Sequence, residues 1–560
     1  MATRRSRSQA LPTNATVEVA TDLSRQGGAT REETLPVALG ALVLAFLALL
    51  VCYSRGYMLL YGDAVAHLGI ARRIFDSRNP GLVQLGGVWL PLSHLIMLPF
   101  IWKLQWWQNG MAGAWPSLLC YVLAVVGFFR LGRRLLSPCW AFAATAFFAL
   151  NPNLLFLATT AMTEPLFLAI VIWLTLLTIE CTHAIKRGSV QRLQRLLLAV
   201  GFLIAAAVYT RYDGWIFGAA AWGVLAFHLS KCRDLLRRVA ASFALMTLLA
   251  VAAPISWFAY NQHFYHDWLD FLRGPYSAAA IEKKTSPPGS RHYRGWHNAA
   301  WALLFYTRTA QVDAAAWETG FLLMIAALAG LWSSIRRRFE LSSVLLWIPL
   351  PFYVYSVAYG SVPIFIPQLY PHSFYNARYG MELLPALALF AAVAAERLQA
   401  RYSSAFPLFA RLLQPITLCL IVLNTVAMMY QVPLVLEEGI VNARTRVAFE
   451  TALGRELQQL PAGVPILMST SDHIGALQQA GIPLKQVLSE ADYDSWKAAL
   501  AAPAEKAAYV VAMAGDPVSE ALAKNSVGLT ELTVLCTTGQ PCARVYRSDR
   551  FNPIPKLPPA

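Results

Sequence analysis

Four short segments bring together residue types suited to proton transfer and to anion binding. The first is Tyr61-Gly62-Asp63-Ala64-Val65-Ala66-His67, continuing to Ile70 and Ile74. Asp63 and His67 are four residues apart and share one face of a helix. Ala66, Ile70 and Ile74 repeat at helical spacing, as in a helix lying along a membrane surface. The second segment is Thr160-Ala161-Met162-Thr163-Glu164-Pro165-Leu166-Phe167. The third is Tyr209-Thr210-Arg211-Tyr212-Asp213-Gly214-Trp215, and the fourth runs from His372 through Arg378 and Tyr379 to Pro385. Carboxylates can accept protons or hold cations; guanidinium groups bind phosphate or carboxylate. Each residue also has a plainer reading. Asp63 can cap a helix start, Thr163 can cap the helix that Pro165 opens, and Arg211 and Asp213 can be interfacial anchors.

The elements that must position these residues are membrane helices. Of 560 residues, 57% are hydrophobic and 14% charged, well below the quarter usual for a soluble domain. Apolar runs have the roughly 17–25 residues needed to cross a bilayer. Spans are expected near 37–54, 112–129, 139–158, 165–182, 197–210, 215–230, 239–259, 317–334, 341–358, 381–396 and 413–431. The expected fold is an all-α polytopic bundle of about eleven transmembrane helices, 37–432, after a disordered cytoplasmic tail, 1–36.

A net charge of +15 would suit nucleic acid, but its distribution does not. Alternate connections collect Arg130, Arg133 and Arg134; Lys186, Arg187, Arg192 and Arg195; Lys231, Arg233, Arg237 and Arg238; and Arg336 to Arg338. That is the positive-inside pattern, so no nucleic-acid partner is expected and the N-terminus is read as cytoplasmic. The four polar segments then all fall on the opposite face.

In this order and on one side, the four segments resemble the GT-C superfamily of polytopic glycosyltransferases. More narrowly, they are similar to bacterial protein O-mannosyltransferases and to the aminoarabinose transferase of lipid A. Asp63 matches an acid in the first outer loop, and Thr163-Glu164-Pro165-Leu166-Phe167 a Ser/Thr-Glu motif opening a later helix. Arg378-Tyr379 with Leu383-Leu384-Pro385-Ala386 matches a third motif. The resemblance covers residues 37–430. Where relatives often have two adjacent acids, Gly62 precedes a single one here. A divalent metal is compatible with the resemblance, but nothing indicates one and no cofactor is certain.

The resemblance implies transfer of a sugar from a polyprenyl-phosphate carrier to a hydroxyl of an unidentified acceptor: protein, glycan or lipid. Asp63 is then the expected general base, and Glu164 orients the acceptor or holds an arginine. Arg211, Arg378 and His372 are the expected donor-phosphate ligands, with Lys283, Lys284, Arg291, His292 and Arg294 behind them. His67, His94, Asp213 and Tyr379 are expected in support. The alternative is a transporter or flippase of lipid-linked sugars, which would call for inverted repeats and charges deep within spans. The sequence has neither.

After residue 432 the pattern changes. Residues 440–460 read as an amphipathic helix, and Val464–Thr470 and Ala508–Ala514 as buried strands. Ile474–Ala480 and Tyr493–Ala502 read as helices, and Glu531–Arg547 as a hairpin. A small α/β domain on the extracytoplasmic face, 433–560, is expected. Cys536 and Cys542 bracket a turn-forming stretch and are expected to pair in an oxidising compartment.

Overall fold

The computed structural model describes residues 28–286 and 289–551. The expected disordered tail, up to residue 27, lies outside the described residues. The first helix, α1 (Arg31–Ser54), begins six residues before the span expected from 37. A capping box accounts for the early start: Glu33 N donates to the Thr30 hydroxyl, and Thr30 N donates to the Glu33 carboxylate.

The chain continues through α2 (Gly62–Arg73), α3 (Met111–Leu135), α4 (Pro138–Ala149), α5 (Glu164–Lys186) and α6 (Val190–Val208). Next come α7 (Asp213–Ser230), α8 (Arg233–Tyr265), α9 (Ala299–Ala314), α10 (Thr319–Arg336) and α11 (Pro349–Tyr359). Then α12 (Leu384–Tyr402), α13 (Pro407–Gln431) and α14 (Leu434–Gln458) follow. Among the described residues, eight helical segments are long and apolar enough to cross a membrane. The other three expected spans depart for local reasons. The 139–158 stretch breaks at Asn151-Pro152, where Asn151 caps a separate turn. The Asn151 and Asn153 amides there both donate to the Asp313 carbonyl. α7 and α12 are helical, but Asp213 and His228 in one and Glu396, Arg397 and Arg401 in the other dilute their apolarity.

α5 is buried nearly all round, whereas α1, α8 and α13 expose continuous apolar surface of the kind that faces lipid. α10 and α12 pack backbone to backbone. A Cβ at Gly330 would come within 1.9 Å of the Phe390 carbonyl oxygen, so only glycine permits that approach. One end of the bundle is tied by ion pairs: Arg133 with Glu33, Arg134 and Arg192 with Glu180, and His183 with Glu340. The four polar segments gather at the other end.

Strands occur only after α14 among the helical and strand elements described: β1 (Ile466–Met468), β2 (Val487–Leu488), β3 (Tyr509–Met513), β4 (Leu529–Leu535) and β5 (Ala543–Ser548). Their order is β2-β1-β3-β5-β4, parallel across β2-β1-β3 and antiparallel beyond. Helix α15 (Ile474–Ala480) has its expected bounds, while α14 begins at Leu434, earlier than the expected 440. The two-residue β2 gave no sequence signal.

A disulfide joins Cys536 and Cys542 at the β4–β5 turn. Alkylation before reduction is expected to leave both unlabelled, and Cys536→Ser should cost about 2 kcal/mol of loop-closure stabilisation. Quantitative labelling of both thiols in the native protein would contradict the pairing.

Candidate active site

The start of α2, the start of α5, the α6–α7 junction and the turn before α12 open onto one cavity of about 1000 Å³. Asp63 is in the first turn of α2 but caps nothing; the N-cap position is Tyr61, without a side-chain bond. The Asp63 carboxylate instead accepts from Arg378 Nη2 at 2.5 Å and keeps 41% of its surface exposed in the cavity. Glu164 differs. Its side chain is 1% exposed, with one oxygen 3.2 Å from Arg378 Nε and 3.3 Å from Arg211 Nη1. Thr163 does not cap α5 with its side chain; its hydroxyl accepts from Arg211 Nη1 at 2.8 Å.

Both guanidinium groups are already surrounded by protein acids. Arg211 lies 3.0 Å from Glu382 and 3.4 Å from Asp213, and donates to the Tyr353 hydroxyl at 2.6 Å. The Tyr353 hydroxyl donates in turn to Glu382 at 2.7 Å. Arg378 has Glu438 at 4.0 Å in addition to Asp63 and Glu164. The Tyr379 ring lies beneath both, 5.0 Å from the Arg211 guanidinium carbon and 4.9 Å from that of Arg378. Burial works against both positive charges, and the carboxylates around them outweigh it. Two cations among five acids are well held in place, and their attraction for a further anion is correspondingly reduced.

Glu438 is the member that the sequence reading missed. It lies in α14, assigned by sequence to the C-terminal domain, yet it accepts from the Tyr61 hydroxyl at 2.7 Å and from Ala377 N at 3.1 Å. Its only local signal was an acid pair, Glu437-Glu438, inside an apolar run. Glu382 and Tyr353 were likewise unassigned.

His67 and His94 meet, Nδ1 to Nε2, at 2.8 Å, and Trp89 packs on His67 with ring centroids 4.4 Å apart. Burial pushes the His67 imidazole down to about 4, against the pull of Asp63. Burial likewise drives His94 well below its ordinary value. The folded chain therefore keeps His67 neutral while an unfolded chain takes up the proton first. Its contribution to stability is present above about 6.5 and is lost as pH falls towards about 4. The thermal midpoint should drop on acidification through that window, less steeply in His67→Gln; equal slopes would contradict this account.

His372 lies apart from the other expected phosphate ligands. It is exposed, with Nδ1 2.8 Å from the Pro367 carbonyl in its own loop, and it does not line the cavity. The structure does not bring it together with Arg211 and Arg378 at the cavity. Of the basic cluster behind it, Arg291, His292 and Arg294 line the cavity wall, while Lys283 and Lys284 do not. His292 is 2.6 Å from Glu282 and stacks on Trp296; the Arg294 guanidinium lies over Tyr370 and Trp301. Among the described residues, no group of three or more His, Cys, Asp or Glu side chains is arranged to share a metal ion.

Residues 91–258 match the family model for dolichyl-phosphate-mannose-protein mannosyltransferases. The crystal structure of ArnT from Cupriavidus metallidurans bound to undecaprenyl phosphate aligns over 94% of this chain and 100% of its own, with a TM-score of 0.55 at 14% identity. This is the GT-C glycosyltransferase fold. The same ArnT in the apo state aligns at a TM-score of 0.49 and 15% identity, covering 97% of this chain and 100% of that one. The oligosaccharyltransferase AglB from Archaeoglobus fulgidus, in complex with an inhibitory peptide and a dolichol-phosphate, gives 0.43 at 10% identity. Those coverages are 93% of this chain and 75% of that one. No curated protein sequence matches significantly. The matched model and the GT-C fold make the chain a membrane glycosyltransferase, and the resemblance stated from the four motifs is borne out at superfamily level.

Proposed function

We propose that this GT-C protein transfers a sugar from a polyprenyl-phosphate carrier to an acceptor hydroxyl on the non-cytoplasmic side of the membrane, with inversion and with Asp63 as general base. The observation that carries the reading is the contrast between the two acids. Asp63 is open to the cavity, whereas Glu164 is enclosed between Arg211 and Arg378. A base must reach the hydroxyl proton, and only Asp63 of the pair has access. The acceptor oxygen attacks the anomeric carbon as Asp63 takes its proton. The carbon–oxygen bond to phosphate breaks, and its electron pair leaves on the phosphate.

Arg378 is the cation with a partner that can be exchanged. The donor phosphate competes with Asp63 for its Nη2, which would hand the carboxylate to the acceptor. Arg211, held by Glu164, Asp213 and Glu382, orients Glu164 and Tyr353. Arg291 and Arg294 on the cavity wall supply further positive charge to the leaving group. The direct test is sugar release from a panel of undecaprenyl-phosphate-linked pentoses and hexoses in nanodiscs. Turnover with at least one, abolished in Asp63→Asn, is the expected result; no release from any would overturn the proposal.

The reading also fixes an orientation in the plasma (bacterial inner) membrane, supported by the run of basic connections at the opposite end. Reporter fusions after Thr30, Gly110, Gly188 and Leu460 are expected to read in, out, in and out. A cytoplasmic signal at Leu460 would overturn the orientation.

A further inference from the structure

The turn that leads into Asp63 is gripped from outside the membrane bundle. The carbonyls of Leu59 and Leu60 both accept from Arg446 Nη2, at 2.9 and 3.0 Å. They lie just ahead of Tyr61, the N-cap residue of α2, whose own carbonyl accepts from Val65 N. Arg446 belongs to α14, and its side chain passes over Gly62, where a Cβ would meet Arg446 Nε and Cδ at 3.8 and 3.9 Å. Its other terminal nitrogen donates to Glu450 Oε2 at 2.5 Å; Glu450 is buried and Arg446 partly so.

Glu450 is itself seated on the C-terminal domain. A Cβ at Gly475, in the first turn of α15, would lie 2.2 Å from Glu450 Oε2, so the carboxylate rests directly on that backbone. The same turn touches α2 again. Ile474 Cδ1 occupies the space a Cβ at Gly69 would need, at 2.4 Å. α2 is thus held at its start by Arg446 and along its length by α15.

We propose that Arg446 is a positioning residue for sugar transfer. Through the carbonyls of Leu59 and Leu60 it sets the direction in which α2 leaves the first span. That direction fixes where the Asp63 carboxylate points relative to Arg378. Glu450 and the backbone of Gly475 hold the Arg446 fork in place, which gives the C-terminal domain a part in the chemistry. The inference rests on the reading of Asp63 as base. A guanidinium is needed because one planar group must bridge two carbonyls and a carboxylate at once.

The test uses the full chain in nanodiscs, with the undecaprenyl-phosphate-linked sugar from the panel that the wild type turns over. Arg446→Ala is expected to lower kcat on the order of tenfold, the scale of a misplaced catalytic group, with donor KM within about twofold of wild type. Arg446→Lys should recover part of that loss, and amide exchange should rise in residues 59–67 of Arg446→Ala more than elsewhere. Unchanged kcat, a change in KM alone, or unchanged exchange at 59–67 would each overturn the inference. If Arg446→Ala does not fold, Glu450→Gln decides: a severalfold lower kcat at constant KM supports it, and wild-type kcat overturns it. Asp63→Asn in the same assay separates the two claims, since activity there defeats the base assignment whatever Arg446 does.

Discussion

Asp63→Asn is expected to lower turnover by about two orders of magnitude or more, the usual scale for removing a general base. Asparagine keeps the size of the side chain, and its amide oxygen can still accept from Arg378 Nη2. It cannot take the hydroxyl proton. Asp63 makes no capping bond in α2, so Asp63→Ala should match Asp63→Asn in activity and differ in stability only by the acceptor that asparagine keeps for Arg378 Nη2. The thermal midpoint should change little in Asp63→Asn, and undecaprenyl-phosphate should bind no more weakly in either variant, because the phosphate no longer competes with a carboxylate for Arg378 Nη2. Near-normal transfer by Asp63→Asn alongside a dead Glu164→Gln would move the base from Asp63 to Glu164. Activity in both would remove the reaction from this cavity.

Arg378→Ala should act differently, raising donor KM and lowering kcat together. Phosphate charge is present in the bound donor and grows as the bond breaks, so the cation serves both states. The change also leaves Glu438 buried without its counterion and Glu164 with Arg211 alone. Removing one partner of a buried pair costs about 3–5 kcal/mol, so a lower thermal midpoint is expected too. Arg378→Lys restores the charge but not the fork that reaches Asp63 and Glu164 at once, and should recover KM better than kcat. A variant with wild-type KM and reduced kcat would show that Arg378 acts through Asp63 alone.

Much of this arrangement was legible because membrane helices write their requirements locally. Apolar length marked the long spans, and basic connections marked one end. The four polar segments could be named because each lies at a helix mouth, where a charge is conspicuous against its surroundings. The register of Ile474–Ala480 was readable from its apolar pattern and the glycine that ends it. What failed was long-range. Glu438 meets Tyr61 across 377 positions, and no spacing rule reaches that far. His372, expected from the resemblance to meet the donor phosphate, has its Nδ1 partner in its own loop and lies outside the cavity lining. The break at Asn151-Pro152 was hidden because apolar residues continue on both sides of it, although its cause is local: Asn151 caps the turn that Pro152 opens.

The contact of Glu438 with Tyr61 and Arg378 has a consequence for how the protein is made. The ribosome delivers Asp63 early and α14 late, so nearly four-fifths of the chain must be threaded into the bilayer before the pocket is whole. A nascent or prematurely terminated chain already holds Asp63 and Arg211, but it lacks the carboxylate that completes the setting of Arg378. The translocation machinery can therefore insert the bundle helix by helix while the site stays unfinished. Competence arrives with α14, the helix that follows the last span, after the lipid-facing surface has been laid down.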